Sequence, residues 1–144
     1  MVAIYISPDN SLRAIRDFLY ENLFIYSHGA SALLQQKIGK RFDDLPMILT
    51  GVFNINFADD KNISLIEFLN NELGLTMSND RNISTTKYKT TIDAVFTRNL
   101  NRFESKLFIS YFSYHKPIIS VLEISDGTAG NDDGEGVAEI TDKS

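Results

Sequence analysis

Cysteine is absent from all 144 residues. That excludes a disulfide framework and a thiolate metal site, so a bound metal would need oxygen or imidazole ligands. Also missing is any apolar run near the roughly 20 residues that a membrane helix requires. The N-terminus has no basic segment leading into an apolar core with a small-residue cleavage site. An intracellular protein, nuclear or cytoplasmic, with no membrane partner is therefore expected. The body of the chain has no excess charge of either sign. The formal net charge of −5 arises in residues 126–144, where Asp126, Asp132, Asp133, Glu135, Glu139 and Asp142 face Lys143 alone. Removing these from totals of 19 acids and 14 bases leaves 13 of each. The same stretch has almost no large apolar groups to offset its ordering entropy, so an acidic disordered tail is expected there.

The rest is ordinary globular material: 43% hydrophobic residues, in a length sufficient for one small domain with a core. One stretch is locally basic. Between residues 81 and 106, Arg81, Lys87, Lys89, Arg98, Arg102 and Lys106 oppose only Asp93 and Glu104. Arg81, Lys87, Lys89 and Arg98 are the candidate contacts to a phosphate-rich partner. On charge alone, a solvated loop and strand edge explains them equally well.

Periodicity supplies the elements. Residues 2–6 are apolar and β-prone, and Pro8, Asp9 and Asn10 mark a turn. Leu12, Ile15, Leu19, Leu23 and Tyr26 recur at helical spacing, which predicts an amphipathic helix over 11–27. A shorter helix and a polar loop fit residues 29–44, and a strand fits 46–53. Ser64 and Glu67 have capping-box spacing ahead of Leu65, Phe68, Leu69 and Leu73, and Gly74 is placed as a stop, which predicts a helix over 64–73. Further strands are expected at 75–77, 90–97, 107–112 and 117–124. In the 90–97 strand, Ile92, Ala94 and Phe96 fall on one side and Asp93, Val95 and Thr97 on the other. The order β-α-β-α followed by strands defines an α/β or α+β layer: one mixed sheet with helices on one face.

Four segments carry chemistry. They are Tyr5 within Ala3-Ile4-Tyr5-Ile6-Ser7-Pro8, the run Gly51-Val52-Phe53-Asn54, the run Ile92-Asp93-Ala94-Val95-Phe96, and the run Ser113-Tyr114-His115-Lys116-Pro117-Ile118. His115 is the best catalytic candidate, because neutral imidazole exchanges a proton near pH 7. It needs a partner on its second ring nitrogen to fix the tautomer. Taken alone, such a histidine is more often a hydrogen-bonded structural residue, and Asp93 a salt-bridged acid. Asn54 could donate to an oxyanion without titrating, or could simply be a turn asparagine. Tyr5 reads equally as a half-buried strand tyrosine. His28 has no motif around it and reads as surface.

Together and in this order, the four segments resemble the second half of the endonuclease/exonuclease/phosphatase (DNase I-like) family, over about residues 1–124. They are most similar to the endonuclease domains of non-LTR retrotransposons and Helitron-like elements. The resemblance implies half of a four-layer αββα sandwich over residues 1–125, and Mg²⁺-dependent hydrolysis of DNA in the intact family. It implies that His115 and Asp93 form a dyad, and that Asn54 and Tyr5 lie near the scissile phosphate. Two family acids are replaced here, by Val52 and by Tyr114. The family's cation-holding glutamate belongs to a first half that would precede Met1. The expectation is therefore a truncated, inactive nuclease remnant that binds no Mg²⁺. Its open sheet face would favour self-association. Two alternatives stand beside it: a non-catalytic nucleic-acid-binding remnant, or part of a longer, active nuclease.

Overall fold

The computed structural model of the chain describes residues 1–124. The expected acidic tail lies outside the described residues. Its first helix, α1 (Leu12–Leu23), begins where the Ser11 hydroxyl accepts from the Ala14 amide, and it buries Ile15, Leu19 and Leu23. A 3-10 turn, Phe24–Tyr26, leads to Ser27, which caps α2 (His28–Ile38) in the same way. The helical reading thus holds through Leu23 and loosens over the last turn. The third helix, α3 (Ile63–Leu73), buries Leu65, Leu69 and Leu73 and stops at Gly74, whose φ of 65° is the left-handed conformation glycine adopts freely. The expected capping box is absent. Ser64 lies inside the helix, because a 3-10 turn at Asp60–Asn62, capped by Asp59, already starts the coil.

The strands are β1 (Val2–Tyr5), β2 (Met47–Val52), β3 (Thr76–Met77), β4 (Asp93–Arg98), β5 (Phe103–Leu107) and β6 (Ile118–Leu122). Four form a mixed sheet in the order β1-β2-β4-β3, with β1 parallel to β2 and the other pairs antiparallel. The fold class is α+β. Gly51 is obligatory in this sheet: its φ is 149°, and a Cβ there would lie 1.9 Å from the Ile4 carbonyl oxygen.

The core lies on one side of the sheet. Val2, Ile4, Met47, Leu49, Ala94, Phe96 and Met77 meet α1 and α3 there, and Phe53, Phe57 and Phe96 pack edge to face at 5.2–5.8 Å. The opposite face carries Tyr5, Thr50, Val52, Asp93 and Val95. It is buried toward β4, where Val95 is 4% exposed, and open at the β1 edge, where Tyr5 is 72% exposed.

The final strands need correcting. The expected strand at 107–112 is β5, ending at Leu107, and residues 108–117 form a loop. The alternation of Phe103, Ser105 and Leu107 with Glu104 and Lys106 is the real β signal. β5 and β6 form a separate two-stranded sheet rather than extending the first. It is tied to the main sheet's second face by the Ser78–Ser105 hydroxyl pair at 3.0 Å.

Candidate functional site

Strand register assembles the site. Tyr5 pairs with Val52, and Val52 pairs with Asp93, so the three side chains form one row across the second face. His115 closes the row from the loop before β6. Its Nδ1 lies 2.9 Å from Asp93 Oδ2. A carboxylate only accepts, so Nδ1 carries the proton and donates, which leaves the Nε2 lone pair free in the neutral ring. Nε2 makes no hydrogen bond with any described residue. His115, Lys116, Pro117 and Ile118 face Thr50, Gly51, Val52, Asp93 and Ala94 across a cavity of about 330 Å³. The histidine side chain is 26% exposed and Asp93 14%.

Both members of the pair are braced by residues that had no motif. Asn79, 4% exposed, donates to the Asp93 carbonyl at 3.2 Å and accepts from the Val95 amide at 2.9 Å. In this way its amide continues the β3 edge with side-chain atoms. The fully buried Thr85 accepts from the amides of Ile92 and Asp93. Its carbonyl accepts from the Lys116 amide at 2.7 Å, and the Tyr114 carbonyl accepts from the Lys87 amide at 2.9 Å. One short loop therefore fixes Asp93 on one side and His115 on the other. Nothing in the threonine-rich sequence of that loop signals this, because such residues also populate solvated turns.

Asn54 lies apart from the dyad cavity. Its φ of 53° turns the chain out of β2, and its amide donates to the Ile6 carbonyl at 2.6 Å. It lines a different, open cavity of about 550 Å³ with Asn10, Asn56, Asp59 and Lys61. Tyr5 borders a smaller cleft with Phe18 at the sheet edge. Tyr114 lies against the His115 ring, tilted by 38° with centroids 4.1 Å apart.

The basic candidates divide. Lys87 and Lys89 are exposed, while Arg81 donates to the Phe57 carbonyl and pairs with Asp60. Arg98 must be withdrawn as a nucleic-acid contact. It is 6% exposed, and its guanidinium donates to the carbonyls of Tyr26, Phe42, Leu45 and Leu73 at 2.7–3.1 Å. Burial draws its pKa down, with Asp43 and Asp44 opposing. The clue was its place in β4, two residues beyond Phe96 and four beyond Ala94, on the core face. His28 also has a partner that was not foreseen: its Nδ1 lies 3.1 Å from Asp43 Oδ2.

Magnesium, which the resemblance implies for the intact family, does not fit the residues around the dyad. Asp93 is the sole carboxylate lining that cavity and is engaged by His115, and Val52 offers no donor. Among the described residues, no three acidic, histidine or cysteine side chains form a metal-binding group. Also among them, no helix is long and apolar enough to cross a membrane. Comparison with protein-family models, curated proteins and solved structures gave no match.

Proposed function

We propose that this chain is a DNase I-like nuclease relative that holds nucleic-acid phosphates without cleaving them. The observation that carries this reading is the His115–Asp93 pair beside Val52. The dyad orients an imidazole with its lone pair free, suited to take a proton from a group that attacks a phosphate. The neighbouring strand position, which in the resembled family holds the proton-handling acid, carries an alkyl group instead. A phosphate bound there could accept from His115 only when Nε2 also carries a proton, and it would find no second proton carrier and no cation site. On this reading the layer described above is half of a four-layer sandwich, and the β1 side of its second face is the surface left for a partner or a second copy. Residues 126–144, acidic overall, would repel the same ligand and weaken unspecific binding.

The test is a plasmid-nicking assay with Mg²⁺, run beside a DNA-binding assay at two salt concentrations. Binding that weakens with salt, without nicking above a heat-killed control, is the expected result. Loss of a proton-transfer group costs roughly 10²–10⁴ in rate. Val52→Asp alone should restore nothing, because the cation still lacks a ligand set. Robust cleavage by the unmodified chain that disappears in His115→Ala would overturn the proposal, as would absence of any salt-sensitive binding.

A further inference from the structure

Beside the dyad stands a group of exposed aromatic side chains that the proton chemistry does not use. Tyr88 is 66% exposed and Tyr114 44%, and their ring centroids lie 5.8 Å apart. Tyr114 in turn lies against the His115 ring, and Lys87 Nζ sits 5.3 Å from the Tyr88 ring centroid. Tyr111 and Phe112 of the same loop are almost fully exposed. Exposed aromatic rings usually cost solubility, and here the backbone is organised to present them. The buried Thr86 hydroxyl bonds the amides of Tyr88 and Thr90 and the Thr90 hydroxyl, which closes a tight turn with Lys89 at φ 62°. The Lys87–Tyr114 backbone bond and the Thr86–His115 bridge hold that turn against the dyad loop. Lys87 and Lys89 flank Tyr88, and no acid occurs from Arg81 through Ile92.

We infer that Tyr88 and Tyr114 form a stacking platform for unpaired bases of a single-stranded nucleic acid, with Lys87 and Lys89 on its phosphates. The inference rests on the nucleic-acid reading above and names the form of the ligand. Aromatic faces bind any base but only when it is unstacked, so duplex DNA would engage the lysines and leave the rings idle. Charge complementarity selects the polyanion, and the preset turn reduces the ordering cost. A base seated on Tyr114 would bring its own phosphate close to His115, because the two rings are in contact.

The experiment uses the full 144-residue chain. Labelled oligothymidylate and oligouridylate of roughly 12 nucleotides, and a duplex of the same length, are titrated by anisotropy. The chain has no tryptophan and six tyrosines, so quenching of tyrosine emission that Tyr88→Ala or Tyr114→Ala diminishes reports stacking. Expected are tighter binding of either single strand than of duplex, quenched tyrosine emission, and about a 10-fold loss in Tyr88→Ala that Tyr88→Trp reverses. Lys89→Ala should lower the single-strand salt slope by about 0.7, and Tyr88→Ala should leave it unchanged. Tyr88 is largely exposed, so circular dichroism should show both tyrosine variants folded. Salt-sensitive binding that is indifferent to Tyr88→Ala and Tyr114→Ala, or that favours duplex, overturns the platform and leaves the broader reading standing. Absence of any binding by the parent chain overturns both.

Discussion

The molecule holds two histidine–aspartate pairs of nearly equal length, and their surroundings make them different devices. His28 meets Asp43 at 3.1 Å, and His115 meets Asp93 at 2.9 Å. Asp43 is 3% exposed and also takes two hydrogen bonds from Arg41, at 2.7 and 3.1 Å. That guanidinium, with His28 and Ser31 assisting, holds the Asp43 carboxyl well below the usual range. The second nitrogen of His28 lies beside Gly74 at the end of α3, on a side chain that is 56% exposed. Asp93, by contrast, has no arginine or lysine partner among the described residues, and His115 borders a cavity. The first pair is an ion network that ties α2, the 39–46 loop and α3 together, with Arg98 beneath it. The second stands at a cavity with no arginine or lysine on its carboxylate. A His–Asp contact alone is therefore no mark of function. The third ionic partner on the carboxylate and the enclosing cavity decide.

The largest way to test this contrast is Arg98→Ala. It would leave four carbonyls without the guanidinium they accept from, that of Leu73 buried and those of Tyr26, Phe42 and Leu45 partly so. A loss of about 3–4 kcal/mol in urea unfolding is expected, near the top of the range for single substitutions. A loss below about 1 kcal/mol would mean that water replaces the guanidinium readily and that the helical side has no such knot.

Next in size is Asp43→Asn. Breaking a buried pair costs roughly 3–5 kcal/mol, but Arg41 is half-exposed and solvent screens it, so about 2 kcal/mol is expected. The pH dependence sharpens the test. A carboxyl whose folded pKa is depressed contributes its full stability above the unfolded value of about 4, and that contribution is lost as pH falls toward the lower folded value. The parent chain should therefore lose stability below about pH 4, and Asp43→Asn should flatten that limb. An unchanged acid limb would remove Asp43 from the network.

The contrast also shows what a sequence can carry. Asp93 and His115 were legible because each stands in a short run with a defined neighbour order, and strand alternation sent Asp93 away from Ala94 and Phe96. The same alternation, extended one step, puts Arg98 on the core face, but a charged residue in a basic stretch reads as surface. Its partners come from Tyr26, Phe42, Leu45 and Leu73, segments that adjoin only in three dimensions. Asp43 and His28 are likewise 15 residues apart with no periodic link. Asn79 and Thr85 act through bonds to main-chain atoms, for which side-chain identity is a weak signal. The 108–117 loop was misread because apolar residues that a strand would bury are here exposed.

The smallest effect, and the most discriminating, belongs to the dyad. Asp93→Asn keeps the volume and can still bond His115, and the bracing by Asn79 and Thr85 acts on the Asp93 backbone, which the substitution leaves intact. Stability should fall by less than about 1 kcal/mol, as for a partly exposed site away from the core. The imidazole should nevertheless change. With Asp93 present, ¹⁵N spectra of neutral His115 should show the proton on Nδ1, because a carboxylate can only accept. An asparagine amide can present either oxygen or nitrogen, so the variant should show a mixture of tautomers. His28 should be unaffected, since its own carboxylate remains. If Asp93→Asn cost as much stability as Asp43→Asn while the His115 tautomer stayed fixed, the second pair would be a structural tie like the first, and the proton-acceptor role would have to be given up.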